Sequence, residues 1–170
     1  MKKLLLIVDP QMDFIIGSLP VPGAVEAMDS LAAYISKRDG KYIHKIITAD
    51  SHPYDHCSFE ECGGKWPRHC VHDTLGAAIW PGVFDAAYRT SGDVTLLHKG
   101  EYRLTEEYSI FKNPDASRRI DNIIRENHIE RIDICGLAGD VCVRDTLRDG
   151  IALYGEGMFK LLEEYSPCIN

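Results

Sequence analysis

Four or five short runs of the chain are apolar without interruption. Lys2 to Val8 (KKLLLIV), Tyr42 to Thr48 (YIHKIIT), Val94 to His98 (VTLLH) and Arg131 to Leu137 (RIDICGL) have this character, and Phe159 to Leu162 is a shorter fifth. Continuous apolar runs of this length predict strands buried on both faces rather than strands with one wet side. Between them the period changes. In Ala24 to Asp39, Val25, Met28, Ala32 and Ile35 fall on one helical face, and Gly40 is a natural stop. Pro114-Asp115 opens a second helix with Ile120, Ile123 and Ile124 as its stripe, and Val141 to Leu153 reads as a third. Ala49 to Trp80 has no such period; it is a long loop rich in His, Cys, Gly and Pro. Strands alternating with helices predict a mainly parallel sheet of about five or six strands, covered on both faces: a single-domain three-layer α/β/α fold over residues 1–170.

Composition narrows what such a domain can do. The 170 residues carry a formal net charge of -7 with no long run of one sign, which argues against nucleic acid and anionic membrane as partners. Leu4 to Val8 is too short for a secretory h-region and is followed at once by Asp9, so a cytoplasmic protein is expected. The six cysteines (57, 62, 70, 135, 142 and 168) form no CxxC pair; they read as reduced thiols rather than as a disulfide framework or a zinc ribbon.

In open α/β sheets ligands bind beyond the carboxyl ends of the strands. The first strand ends in Asp9, the second in Asp50-Ser51-His52, the third in Lys99, and the fourth in the turn Leu137 to Cys142. A carboxylate, a candidate metal-ligand pair, a cation and a thiol are thereby brought to one rim. Alone, Cys142 reads as a small buried filler, and Asp9 with Lys99 as a plain ion pair. Together they suit nucleophilic catalysis. A helix start favours a thiolate and supplies N–H groups to an oxyanion, a carboxylate can take and return a proton, and a cation stabilises both anions. Asp50, His52 and His69 add one carboxylate and two imidazoles, a set that suits zinc, manganese or iron. His44, His56, Glu60, Glu61, Cys62 and His72 are further donors among which the sequence does not choose.

These residues stand in a recognisable order. LLIVDPQMDF (Leu5 to Phe14), Val21-Pro22-Gly23-Ala24, TADSHPYDHCSF (Thr48 to Phe59), GGKWPRHCVHDTLGA (Gly63 to Ala77), His98-Lys99-Gly100 with Tyr108-Ser109-Ile110-Phe111, and CGLAGDVCVRDT (Cys135 to Thr146) together resemble the nicotinamidase branch of the isochorismatase-like cysteine hydrolases, from the first strand to about Asp149. The resemblance implies Cys142 as nucleophile, Asp9 as acid/base and Lys99 as the third catalytic member. It implies one divalent metal, zinc first, on Asp50, His52 and His69. It also implies a cis Leu137-Ala138 peptide, with the Ala138 and Cys142 N–H groups forming an oxyanion hole. Phe14, Trp66 and Tyr108, which on their own read as core packing, match positions lining a pocket for a flat heteroaromatic ring.

The implied reaction is hydrolysis of nicotinamide to nicotinate and ammonia through a thioester, a step of NAD salvage, by a homo-oligomer acting on a small aromatic amide. The alternatives are the same chemistry on another amide, carbamoyl or ureido compound, and a metal-binding module without turnover. The sequence departs from the pattern at Ser51, where an aromatic is common, and along Glu101 to Glu107, which is expected to reshape the pocket mouth. It ends at Asn170 where many relatives carry a further helix.

Overall fold

The computed structural model describes all residues, Met1–Asn170. Its centre is one wholly parallel sheet of five strands: β1 (Lys3–Val8), β2 (His44–Asp50), β3 (Asp93–Lys99), β4 (Arg131–Gly136) and β5 (Phe159–Leu161), in the spatial order β3-β2-β1-β4-β5. The helices are α1 (Met12–Ile15), α2 (Ala24–Lys37), α3 (Pro81–Arg89), α4 (Pro114–Glu126) and α5 (Arg144–Tyr154). No helix is long and apolar enough to cross a membrane.

The uninterrupted apolar run of β1 is explained by where its side chains go. Leu5 and Ile7 enter one core with α2 and α3, while Leu4, Leu6 and Val8 enter a second core with α4 and α5. Successive strand residues point to opposite faces, so a strand covered on both faces has no polar alternation. Each such side chain contributes roughly 1.5–3 kcal/mol when fully buried.

The helices dock through stripes close to those expected. α2 buries Ala24, Ala27, Met28, Leu31 and Ile35, with Val25 and Ala32 at the margin. In α4 the buried residues are Ala116, Ile120 and Ile124, and Ile123 is only partly covered. Pro114 occupies its first turn, and the Asn113 side chain caps it by accepting from Ala116 N–H.

Three boundaries differ from expectation. The strand expected over Tyr42 to Thr48 runs two residues later, so Asp50 is the last residue of β2 rather than part of a loop. The helix expected from Val141 begins as a π-helical turn, Gly139–Val143, continuous with α5. α1 and α3 were not expected; α3 buries only Val83, Ala86 and Ala87, too small a stripe to stand out.

Gly136 ends β4 with φ 125°, and a Cβ there would lie 2.1 Å from Val8 O. This is the crossing point between β1 and the turn that carries Cys142. Gly155, with φ 90°, has open space around the corresponding position. Gly136→Ala is therefore expected to destabilise by more than about 2 kcal/mol, combining backbone strain with overpacking, and Gly155→Ala by the strain alone. Urea denaturation of the two variants checks this; equal losses would contradict it.

Candidate active site

The parallel order places the ends of β3, β2, β1 and β4 side by side, and the polar residues at those ends meet. Lys99, the last residue of β3, is fully buried, with Nζ 2.7 Å from Asp50 Oδ1 and 2.8 Å from Asp9 Oδ2. Its ammonium also lies 3.7 Å from Cys142 Sγ. Asp9 follows β1 in the left-handed region (φ 47°), which turns its carboxylate in beneath the rim. Thr48 donates to Asp9 Oδ1 at 2.7 Å. Asp9 Oδ2 is in charge contact with Lys99 but receives no aligned hydrogen bond. One side-chain atom from each of Asp9, Asp50 and Cys142 falls within 4.8 Å of the others.

The electrostatics divide the two carboxyls. Burial pushes the Asp9 carboxyl up, helped by the charge of Asp50 and opposed by Lys99. Burial acts on Asp50 in the same sense, but Lys99 and His52 outweigh it and hold Asp50 well below the usual carboxylate range. Lys99 is driven the other way: burial disfavours its charge, and the two carboxylates more than restore it. Cys142 departs from expectation. Burial pushes its thiol well above the ordinary value, with Asp9 and Asp50 adding to the effect against Lys99. These surroundings favour the thiol over the thiolate.

Asp50, His52 and His69 form a second cluster, all buried, with candidate ligand atoms within 4.8 Å of one another. His52 Nδ1 lies 2.8 Å from Gly100 O, and His69 Nδ1 lies 2.8 Å from Pro67 O. A carbonyl accepts only from N–H, so both rings carry a proton on Nδ1, which leaves Nε2 as the nitrogen that could bind a metal. Imidazoles anchored in this way are characteristic of metal ligands, and the donor set fits a divalent cation. Gly100 (φ 72°) is required beside it, since a Cβ there would lie 2.5 Å from His52 Cε1.

The other candidate donors stand apart from this cluster. His44 begins β2 at the far end of the sheet, bonded to Thr95. His56 stacks 4.1 Å from the His52 ring, but its nitrogens are engaged by Ser58 Oγ and Thr105 O. His72 contacts Ser51, Glu61 pairs with Arg68, and Glu60 and Cys62 are exposed.

Beside the two clusters is a small, tight cavity that opens to the surface. Phe14, Trp66 and Tyr108 all line it, together with Asp50, His69 and Cys142. Trp66 Nε1 donates to Tyr108 Oη at 3.0 Å, which fixes both rings. The Leu137–Ala138 peptide is cis, and the Ala138 N–H donates to no protein acceptor. Ala138 lines the same cavity as Cys142.

The isochorismatase domain family matches residues 3–154. The chain belongs to the isochorismatase family. Among curated proteins, this isochorismatase-family chain is 34% identical to a nicotinamidase/pyrazinamidase of Mycobacterium tuberculosis over 154 residues, covering 88% of this chain and 78% of the relative. Among solved structures it is similar to the pyrazinamidase of Pyrococcus horikoshii in complex with zinc (TM-score 0.81, 33% identity, 100% of this chain and 88% of the other). It is similar also to PnC1 of L. infantum in complex with nicotinate (TM-score 0.81, 28% identity, 99% and 82%).

Several residues of this isochorismatase-family site were not singled out from the sequence. Gln11 clamps the Asp50 backbone from both sides, Nε2 donating to Asp50 O at 2.8 Å and Oε1 accepting from Asp50 N–H at 2.9 Å. Asp13 Oδ2 accepts from Cys70 N–H at 2.7 Å, pinning the loop next to His69. Both stand in the DPQMDF motif, where the signal was available. Glu106, from the departing segment, reaches the cavity wall, and burial pushes its carboxyl up. Leu19, Val141 and Ile169 complete the apolar lining.

Removing the cation at the centre leaves two buried carboxylates facing each other. Lys99→Met is expected to cost about 3–5 kcal/mol at pH 7 in metal-free protein. The unpaired carboxyls then sit above their unfolded values, so the folded variant holds an extra proton in acid and its deficit narrows from pH 7 towards pH 5. Parallel denaturation of the variant and the parent across that range measures it; a deficit that stays constant would refute the account.

Proposed function

We propose that the chain is a metal-dependent cysteine amidohydrolase that converts nicotinamide to nicotinate and ammonia. The observation that carries this reading is the meeting of Asp9 Oδ2, Lys99 Nζ and Cys142 Sγ at the wall of a small aromatic cavity, next to the Asp50/His52/His69 set. The names of the relatives point the same way: a nicotinamidase/pyrazinamidase at 34% identity and a pyrazinamidase solved with zinc at 33%.

In this reading Phe14, Trp66 and Tyr108 hold the flat pyridine ring, and the carboxamide faces Cys142. The thiol begins neutral, so its proton passes to Asp9 Oδ2 as the sulfur attacks the carbonyl carbon. The N–H groups of Ala138 and Cys142 receive the oxyanion. Asp9 returns the proton to the departing nitrogen, releasing ammonia and leaving a thioester on Cys142. Asp9 then takes a proton from the water that cleaves the thioester, and collapse restores the thiol and nicotinate. Lys99 keeps its charge throughout and steadies each anion in turn. Asp50, His52 and His69 would hold a divalent metal, with zinc first among the choices, which would supply a fixed positive charge for orienting the substrate.

Ammonia release from nicotinamide tests the reading. Cys142→Ala is expected to lower turnover by at least about 1,000-fold. Chelation is expected to suppress turnover and added zinc to restore it. Metal content separates the histidines: His69→Ala loses the bound metal, whereas His56→Ala retains it and loses stability instead, by about 1–3 kcal/mol from the unpaired Ser58 and Thr105 groups. Turnover that survives Cys142→Ala would reject the mechanism.

A further inference from the structure

One wall of the cavity comes from far along the chain. Ile169 packs with Val141 and Leu19 around the space that holds Phe14 and Cys142. It belongs to the segment Ser166–Asn170, which has no regular secondary structure and is held in place by the turn that carries Cys142. Gly139 N–H donates to Pro167 O at 2.8 Å. In the opposite direction Asp140 accepts three donors from the segment: Ile169 N–H at 2.9 Å, Asn170 N–H at 3.2 Å and Asn170 Nδ2 at 3.1 Å. The contact is close enough that a Cβ on Gly139 would lie 2.2 Å from Ser166 O.

This arrangement separates two jobs within one turn. Cys142 faces the cavity, while Asp140, two residues earlier, faces away and fixes where Ile169 sits. Ile169 makes no polar contact through its side chain, so all it contributes is shape. Asp140 does not itself line the cavity; it acts through the Ile169 backbone and the segment it holds.

We propose that Ile169 is a specificity-determining residue of the ring pocket and that Asp140 is its positioning residue. Together they set how large a substituent a pyridine carboxamide can carry on its ring while its amide reaches Cys142. The inference rests on the amidohydrolase reading for its substrate class.

The test uses the full chain and four forms: the parent, Ile169→Ala, Asp140→Ala and the double variant. The first readout is kcat/KM for nicotinamide and for its ring-methylated derivatives. Ile169→Ala is expected to raise KM for nicotinamide, with the larger part of the effect on KM rather than kcat. It is also expected to shift preference towards at least one methylated derivative by about tenfold or more, the scale of one methyl group in an apolar pocket. Asp140→Ala should shift preference the same way, and the double variant should add little, since both changes remove one wall. Ile169→Val should restore most of the parental preference.

The second readout needs no turnover. Cys142 is buried and reached through this cavity, so modification by the bulky N-ethylmaleimide, mapped on the Cys142 peptide, should rise at least about threefold in both single variants. Modification by the smaller iodoacetamide should change less. If nicotinamide is not hydrolysed by any form but the alkylation pattern shifts as stated, the wall stands and the amidohydrolase reading falls. If neither preference nor the maleimide rate changes in Ile169→Ala, the proposal is overturned. If only Ile169→Ala acts, Asp140 loses its assigned role.

Discussion

A buried ammonium between two buried carboxylates is the constraint on which the rest of this structure depends. Lys99, from the edge strand of the sheet, pairs with Asp50 on β2 and reaches past it to Asp9 beyond β1. Taking three charges out of water costs several kcal/mol per ion, and the mutual attraction returns this only when the geometry is held. The surroundings hold it. Thr48 fixes Asp9, Gln11 fixes the Asp50 backbone, and both cores close over the strands behind them. Hydrophobic side chains in these places would serve stability at least as well. A charged knot at a rim where a thiol also arrives is therefore better explained by chemistry than by folding.

The long loop between β2 and α3 is organised by the same rim. It has little regular structure, yet its critical residues are buried: Ser51, His52, His56, Ser58, Phe59, His69 and Cys70. Several are tied to the rest of the fold: His52 reaches Gly100 O and His56 reaches Thr105 O in the segment after β3, the Cys70 N–H donates to Asp13 in α1, and His69 is held within the loop by Pro67 O. Buried loops of this kind need every backbone and side-chain polar group matched. This accounts for the density of histidine, glycine and proline in the segment, and for its reading as a loop with no periodicity.

Much of the sheet was legible because burial on both faces leaves a plain signature, the apolar run. The meeting of polar residues at one rim was legible because the ends of parallel strands share one edge, so Asp9, Asp50, Lys99 and Cys142 could be assigned to it without knowing the strand order. The illegible parts have a common cause. The end of β2 was misjudged because a polar residue at a buried strand end looks like the start of a loop. The π-helical turn depends on Val143 N–H reaching Ala138 O, which no local pattern announces. Ile169 was invisible because its place is set by Asp140, 29 residues away. Contacts between irregular segments carry no period to read.

The state of Cys142 shows most clearly why the sequence alone was insufficient. A helix start, taken by itself, lowers a thiol pKa, and that was the natural expectation. In the folded chain the thiol is also buried and faces two carboxylates, which push it up against the pull of Lys99. A thiolate held ready at rest would have to coexist with Asp9 as a second anion a few ångströms away. The arrangement instead favours one proton shared along the path from sulfur to Asp9 Oδ2, with burial raising the affinity of both ends for it. A carboxyl so raised is a weak acid by itself but a suitable carrier, able to accept a proton from sulfur and release it to a leaving nitrogen within one closed site. The burial that raises the Cys142 thiol is thus the same burial that raises the Asp9 carboxyl.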